Sequence, residues 1–241
     1  MTGLYPKTFL YPEALIIQFA KAPVVGQVKT RMQPHLNAEQ CADLHRRLVS
    51  HTFHKLISEK VAPVELWVGG EDDGEGGEGF FTELVSGAKS YVDVDVEADG
   101  TGADDSGEPG RSPTIVAQSG KDLGERMYRA FEQALTRSRP VILVGSDCPF
   151  FSKDYFTTAI EFLHSGQDAV LGPAEDGGYV MMGLNRVSPA LFHSIDWGSA
   201  QVLAQTRERL AEQGWQWREM PPLADIDEPK DLVRLEDLGV I

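Results

Sequence analysis

Residues 14–32 read ALIIQFAKAPVVGQVKTRM, a short apolar run that passes directly into a loop holding Lys21, Lys29 and Arg31 together with Pro23 and Gly26. An apolar run of this length, closed by turn residues, predicts a strand buried on both faces, as in a parallel sheet. In such sheets ligands bind beyond the carboxyl ends of the strands, so the loop is the first place to look for chemistry. Three cations within eleven residues suit the clamping of a di- or triphosphate. Gly26 allows positive φ and close backbone approach. The loop is not a phosphate-binding GxxxxGK[ST] motif, because its glycines are too few.

Working outward, strands and helices alternate. Asn37–Lys60 places Leu44, Leu48, Phe53 and Leu56 at helical spacing with Asn37 as N-cap, and Val64–Val68 predicts a second strand. Leu123, Met127, Phe131 and Leu135 suit one helix face; Val141–Val144 is an apolar strand; Tyr155–Leu163 is helical. Ala169–Gly172 and Tyr179–Leu184 predict further strands, and Ser199–Gln213 a helix with Ser199 as N-cap and Gly214 past its end. Trp215–Met220 suggests an edge strand and Pro229–Leu238 a closing short helix. The alternation implies an α/β fold with a mainly parallel sheet covered on both faces. At 241 residues the chain is read as one domain, residues 1–241.

Residues 71–112 differ in character, with thirteen Asp or Glu against Lys89 and Arg111. The segment around Phe80–Val85 fits a turn or two of helix, and Tyr91–Val96 alternates like an edge strand. Residues 88–113 read as an acidic, flexible insertion. A calcium loop in DVDVEADGTGADD is not supported, because alternating side chains point to opposite faces and the terminal bidentate Glu of an EF-hand is missing.

The bulk numbers exclude several classes. A net charge of −15 repels a nucleic-acid backbone. Two cysteines, Cys41 and Cys148, form no CxxC and imply neither a disulfide framework nor a zinc site. No segment approaches the roughly 20 apolar residues of a membrane span, and no signal peptide is visible, so a cytoplasmic location is expected. The six histidines form no HxxxH or HxH pair and read as packing or surface residues. No GxSxG or GxGxxG motif is present.

A second strand end, VILVGSDCPF, delivers Asp147 to the sheet's upper edge and stops the ladder at Pro149. A lone carboxylate there suits Mg2+ or Mn2+, which complete their shell with water and phosphate; the alternative is a helix cap. Cys148 reads as packed rather than reactive. Two further junctions carry carboxylates. Glu175-Asp176-Gly177-Gly178 reads equally as a hairpin turn, and Asp225-Ile226-Asp227-Glu228-Pro229 as a helix start capped by Asp227. Trp197 reads as a core aromatic ahead of a helix.

These residues carry a resemblance. The chain resembles the nucleotide-diphospho-sugar transferase superfamily, and more narrowly a bacterial group of glycosyltransferases, through FAKAPVVGQVKTR, DLGERM, GSDCPF, GPAEDGGYVMMGL, DWGSAQVL and DIDEPKDL. The resemblance implies a single-domain GT-A (Rossmann-like) three-layer α/β/α sandwich with a mostly parallel mixed sheet. It implies nucleotide binding by Ala20, Lys21, Pro23, Gly26, Lys29, Arg31, Ser146, Asp147, Gly177 and Gly178. It also implies Asp147 and Asp227 as ligands of Mg2+ or Mn2+. Lys29, Asp147 and Asp176 are the expected catalytic residues, Asp176 as general base.

The partners implied are a nucleotide sugar, or a nucleoside triphosphate, plus a small-molecule acceptor; a homodimer is among the assemblies the sequence allows. Many GT-A glycosyltransferases carry Asp-x-Asp at the strand end, whereas here Asp147 stands alone. KxPxxGxxKTR with PLADIDEPKDL also resembles small nucleotidyltransferases that release pyrophosphate, the MobA-like and phospholactate-activating guanylyltransferases among them. Glycosyl transfer is the leading expectation and nucleotidyl transfer its alternative. A non-catalytic nucleotide-binding module is the third reading, and Lys29, Arg31, Asp147 and Asp227 occurring together argue against it.

Overall fold

The computed structural model describes residues 9–33, 35–70, 77–93 and 112–238. The described residues form a seven-stranded sheet of β1 (Leu15–Lys21), β2 (Val64–Gly69), β3 (Thr114–Ala117), β4 (Val141–Gly145), β5 (Ala169–Pro173), β6 (Tyr179–Leu184) and β7 (Trp217–Glu219). Their order is β3-β2-β1-β4-β6-β5-β7, with β6 antiparallel to both neighbours and every other pair parallel. Around it pack α1 (Ala38–Glu59), α2 (Gly77–Asp93), α3 (Leu123–Ala134), α4 (Lys153–His164) and α5 (Val202–Glu212).

The strand period of two sorts the core into two faces. Ile16, Leu66, Ile142, Val144, Val170 and Met181 pack with α1, α2 and α4. Ile17, Phe19, Trp67, Leu143, Leu171 and Met182 pack with α3 and α5. This is the three-layer α/β/α arrangement, and it explains why β1 reads as a nearly continuous apolar run. Gln18 is the polar exception within β1; it is fully buried.

Helix starts follow local chemistry. Asn37 and Gln40 exchange side-chain-to-backbone hydrogen bonds of 2.8 and 2.9 Å, a capping box at α1. Asp122 accepts from the Glu125 amide at 2.8 Å to start α3.

The structure departs from the sequence reading in three places. Ser199 does not cap α5, which begins at Val202. Its first-turn amide at Leu203 donates instead to the Gly177 carbonyl at 3.0 Å, so the cap comes from the β5–β6 hairpin. Residues 91–93 end α2 rather than opening an edge strand, because Phe81, Leu84, Val85 and Ala88 give α2 a buried face at helical spacing. The rest of that expected strand, like residues 94–111 of the acidic insertion, lies outside the described residues. Strand β3 had no sequence signal: it is four residues long, mostly exposed and paired to β2 alone. The closing short helix expected at Pro229–Leu238 is present, in 3-10 form.

A third, smaller core has direct consequences for the site. Met32, Cys41, Leu44, Leu48, Ile226 and Leu235 pack together, tying the loop after β1 and the carboxyl-terminal segment to α1. Among the described residues no helix is long and apolar enough to cross a membrane.

Candidate active site

The loop after β1 turns at Gly26 (φ 79°) and again at Lys29, which holds the left-handed conformation with φ 49° and ψ 35°. A lysine in that region is uncommon and costs conformational energy, so surrounding contacts must hold it there. They come from the short 3-10 turn Thr30–Met32, whose Met32 is fully buried in the third core. With Met32 inserted, Lys29 is directed inward and its side chain is only 3% exposed. Its ammonium lies 2.8 Å from Asp147 Oδ1 and 3.3 Å from Asp227 Oδ1, and donates to the Ile226 carbonyl. Arg31 continues the row, with Nη1 2.7 Å from Asp227 Oδ2 and Nη2 3.4 Å from the Gly198 carbonyl. Two cations and two carboxylates thus alternate along the carboxyl edge of the sheet.

Asp147 is held through its backbone neighbours. The Ser146 hydroxyl donates to the Phe19 carbonyl at 2.8 Å and accepts from Gln18 Nε2 at 2.9 Å. Gln18 also donates to the Val49 carbonyl of α1 at 3.1 Å, and Thr52 of α1 donates to the Ser146 carbonyl at 3.3 Å. The Ile226 amide donates to the Asp147 carbonyl at 2.9 Å. The capping alternative for Asp147 is excluded, since Ser152 caps α4. Asp147 Oδ1 is buried against Lys29, yet the side chain as a whole is 44% exposed. One edge of the carboxylate is therefore sealed and the other is open.

His45 of α1 completes the surroundings. Its Nε2 is 2.9 Å from the Lys21 carbonyl, which can only accept, so Nε2 carries the proton; Nδ1 lies 3.9 Å from Asp147 Oδ1. Burial lowers the His45 pKa below the ordinary histidine value, against the Asp147 charge, which raises it. Burial would raise the pKa of Asp147, but the Lys29 charge outweighs it and holds the carboxyl below the ordinary value. Burial would likewise lower Lys29, but Asp147 and Asp227 hold it above the lysine norm. The Lys29–Asp147 pair is thus ionised on both sides at neutral pH. Cys148 is buried, and burial pushes its thiol up to about 12, in keeping with a packed rather than reactive cysteine.

Beside the row lies a two-lobed cleft of about 540 and 330 Å³. In the larger lobe Glu175, Asp176, Asp225, Asp227, Glu228 and Asp231 face Arg31, Lys230 and Arg234. The smaller lobe is walled by Phe19, Met127, Leu143, Tyr179 and Trp197. Arg31, Asp176, Asp225 and Asp227 line both and form the seam between them. Burial first, then the charges of Asp176 and Asp227, raise Asp225 to about 6. Asp176 Oδ1 accepts from the Gly178 amide at 2.9 Å within the β5–β6 turn. Gly177 (φ 93°) passes so close to the following loop that a Cβ there would stand 2.4 Å from the Ala200 carbonyl oxygen.

The residues expected to form the site are therefore divided. Lys29, Arg31, Asp147 and Asp227 are brought into one row, with Asp176 on the cleft seam. Lys21 instead folds onto its own loop, donating to the Gln27 carbonyl at 2.9 Å. Ala20 and Pro23 are buried, and the Ser146 hydroxyl is spent inside the protein. Asp227 does not cap the last 3-10 turn; Asp231 does, accepting from the Asp227 and Glu228 amides at 3.1 and 2.8 Å. That leaves the Asp227 carboxylate to the row. Sequence reading missed Gln18 and His45, and named Asp225 only as part of a carboxylate-bearing junction. Gln18 carried a signal, as the one amide in an apolar strand; His45, one polar residue on a helix, carried none. Among the described residues no group of three or more His, Cys, Asp or Glu is arranged to hold a metal.

Comparison with known proteins follows the same lines. The model of a family described as uncharacterised proteins conserved in bacteria (DUF2064) matches residues 84–199. The chain is similar to the crystal structure of a proposed nucleotide-diphospho-sugar transferase from Desulfovibrio desulfuricans G20, with 27% identity, a TM-score of 0.75, and coverage of 95% of this chain and 88% of that one. The fold is shared with 4-diphosphocytidyl-2C-methyl-D-erythritol synthase from Anaerococcus prevotii DSM 20548 at 10% identity and a TM-score of 0.55, covering 94% of this chain and 98% of that one. It is also shared with CMP:2-keto-3-deoxy-manno-octonic acid synthetase at 10% identity and a TM-score of 0.51, again covering 94% and 98%. No curated protein matches the chain. The likeness to the Desulfovibrio protein thus reaches beyond the hallmark segments to 95% of this chain.

Proposed function

We propose that the chain is a divalent-cation-dependent transferase of the cytoplasm that takes a glycosyl group from a nucleotide-diphospho-sugar to a small-molecule acceptor. The observation that carries this reading is the Asp147–Lys29–Asp227–Arg31 row, buried at Lys29 and open to a large cleft at Asp227 and Arg31. A buried ammonium bridging two carboxylates is costly to build, and three separate segments of chain cooperate to build it. The likeness to the Desulfovibrio protein supports the donor class.

Asp147 and Asp227 fit Mg2+ or Mn2+ by donor chemistry: both are carboxylates, Lys29 holds them close together, and Asp147 keeps an open edge. The larger lobe carries twice as many carboxylates as cationic side chains, so an anionic diphosphate enters it favourably only with a cation. Bound there, the metal would neutralise charge on the diphosphate leaving group. Arg31, on the exposed side of the row, turns from Asp227 to the phosphates. Lys29 stays buried and fixes both carboxylates. The acceptor hydroxyl oxygen bonds to the anomeric carbon as the bond from that carbon to the phosphate oxygen breaks. The nucleoside diphosphate leaves, and the hydroxyl proton passes to Asp176 on the seam.

A second reading, nucleotidyl transfer, is favoured by one observation: Asp147 is the sole carboxylate at its strand end, followed by buried Cys148. In that reaction a phosphorylated acceptor attacks a nucleoside triphosphate and releases pyrophosphate. Thermal-shift titrations with Mn2+ and a panel of nucleotide sugars and nucleoside triphosphates separate the two. Glycosyl transfer expects cation-dependent stabilisation by at least one nucleotide sugar, lost in Asp147→Asn. Pyrophosphate release from a triphosphate would overturn it in favour of the second reading.

A further inference from the structure

The smaller lobe of the cleft has a chemistry that neither a nucleotide nor a metal explains. Its wall is formed by Phe19, Leu123, Met127, Leu143, Trp197 and Val202. It exists because Gly124, in the first turn of α3, has no side chain. A Cβ there would lie 2.7 Å from Trp197 Nε1, so the indole could not seat edge-on against the helix. DLGERM and DWGSAQVL, distant in sequence, thereby interlock to make one wall. At about 330 Å³ the lobe has the size of a small-molecule pocket.

Polar partners are scarce on its floor. The Tyr179 hydroxyl is already engaged inside the protein, with the Thr206 side chain and with Met127 Sδ 3.8 Å away. A nucleobase seated here would leave its polar edge unpaired, at the full desolvation cost. The polar groups gather instead at the seam, where Asp176, Asp225 and Asp227 meet Arg31, whose charge is already engaged 2.7 Å from Asp227. Among the described lining residues Arg31 is the one cation, and the proposed reaction commits it to the donor's phosphates, so a phosphate-bearing acceptor entering the lobe would meet three carboxylates, whereas a neutral hydroxyl finds acceptors for its proton.

We infer that the smaller lobe is the acceptor subsite, and that the acceptor is an uncharged alcohol with an apolar ring or chain that packs against Trp197 and presents its hydroxyl at the seam. The inference rests on the glycosyl-transfer reading for its role, although the binding preference stands on the lobe itself. It assigns Trp197 and Leu123 to acceptor recognition and places the donor's base outside the lobe.

The test uses the full chain with 2-naphthylmethanol and its phosphate monoester, which share one apolar body and differ in charge, followed by saturation-transfer NMR. The alcohol is expected to bind, and the phosphate ester to bind about tenfold more weakly. Leu123→Glu places a carboxylate at the lobe's mouth, on a residue that is 43% exposed and at a helix N-terminus that tolerates acid. It is expected to fold, by circular dichroism, and to lose the alcohol signal. Alcohol binding unaltered by Leu123→Glu, or phosphate ester binding as tight as that of the alcohol, would overturn the assignment. So would displacement of the alcohol by uridine, cytidine, adenosine or guanosine monophosphate, which would make the lobe a nucleobase site. If no nucleotide sugar binds with Mn2+ while the alcohol still seats, the donor reading fails and the preference for an uncharged alcohol holds.

Discussion

Lys29 and Asp147 meet at 2.8 Å with one partner sealed and the other open, the lysine side chain 3% exposed and the aspartate side chain 44% exposed. A purely structural ion pair has no need of that asymmetry. Here the buried ammonium fixes one oxygen on the protein side and leaves the rest of the carboxylate exposed. Asp227 differs, with one oxygen held by Lys29 and the other by exposed Arg31.

Lys29→Met keeps much of the side chain's bulk and removes its charge. Asp147 and Asp227 then face each other without an ammonium between them, and stability is expected to fall by about 3 kcal/mol in urea denaturation. Adding Asp147→Asn to that variant is expected to restore part of the loss, because it removes one of the stranded charges. Strict additivity of the two substitutions would show that the pair is not coupled.

Arg31 is 57% exposed, so its pairing with Asp227 contributes little to folding. Arg31→Gln is expected to change stability by no more than about 0.5 kcal/mol. If Arg31 turns to the phosphates, the same variant weakens Mn2+-dependent nucleotide-sugar binding by about tenfold or more in calorimetric titration. Unchanged affinity would remove Arg31 from the phosphate site.

Gly26 and Gly177 both have positive φ, yet only Gly177 faces backbone at close range. Gly26→Ala meets nothing within 4 Å and is expected to cost only the left-handed penalty, roughly 1 kcal/mol. Gly177→Ala adds a clash with the Ala200 carbonyl and is expected to cost about 3 kcal/mol. Guanidinium melts of the two variants side by side check the ranking; equal losses would mean that the hairpin moves aside freely.

The pH dependence of stability carries a histidine signature. Burial first, then Lys55 and His54, lower the His51 pKa against a hydrogen bond to the Pro149 backbone that raises it. A histidine whose folded pKa lies below its unfolded value of about 6.5 takes up its proton more readily when unfolded. The native state is therefore fully favoured above pH 6.5 and loses stability as pH falls from there to the lowered folded pKa. His51→Gln is expected to flatten that loss between about pH 7 and pH 5, read by urea denaturation at each pH. A slope equal to that of the unsubstituted protein would assign the acid sensitivity elsewhere.

Much of the fold was legible because its signals are local. Apolar β1, the Asn37 capping box and the Asp122 cap each depend on residues a few positions apart. Strand β3 was not legible, since four mostly exposed residues at a sheet edge need only a partner. Ser199 was misread as a cap because the competing acceptor, the Gly177 carbonyl, comes from another element.

For the site, sequence chemistry by itself singled out Lys29, Arg31 and Asp147, since cations after a first strand and an acid at a later strand end are unusual enough to be noticed, and the family resemblance added Asp227. The same loop chemistry gave Lys21, and the resemblance gave Ser146, equal standing, and residue type alone offers nothing to separate them. Only the tertiary structure did so. The small core around Met32 and Ile226 drives Lys29 inward between two carboxylates, while Lys21 folds onto its own loop and Ser146 turns inside. A residue's identity fixes the charge it can bring; packing at a distance decides where that charge points.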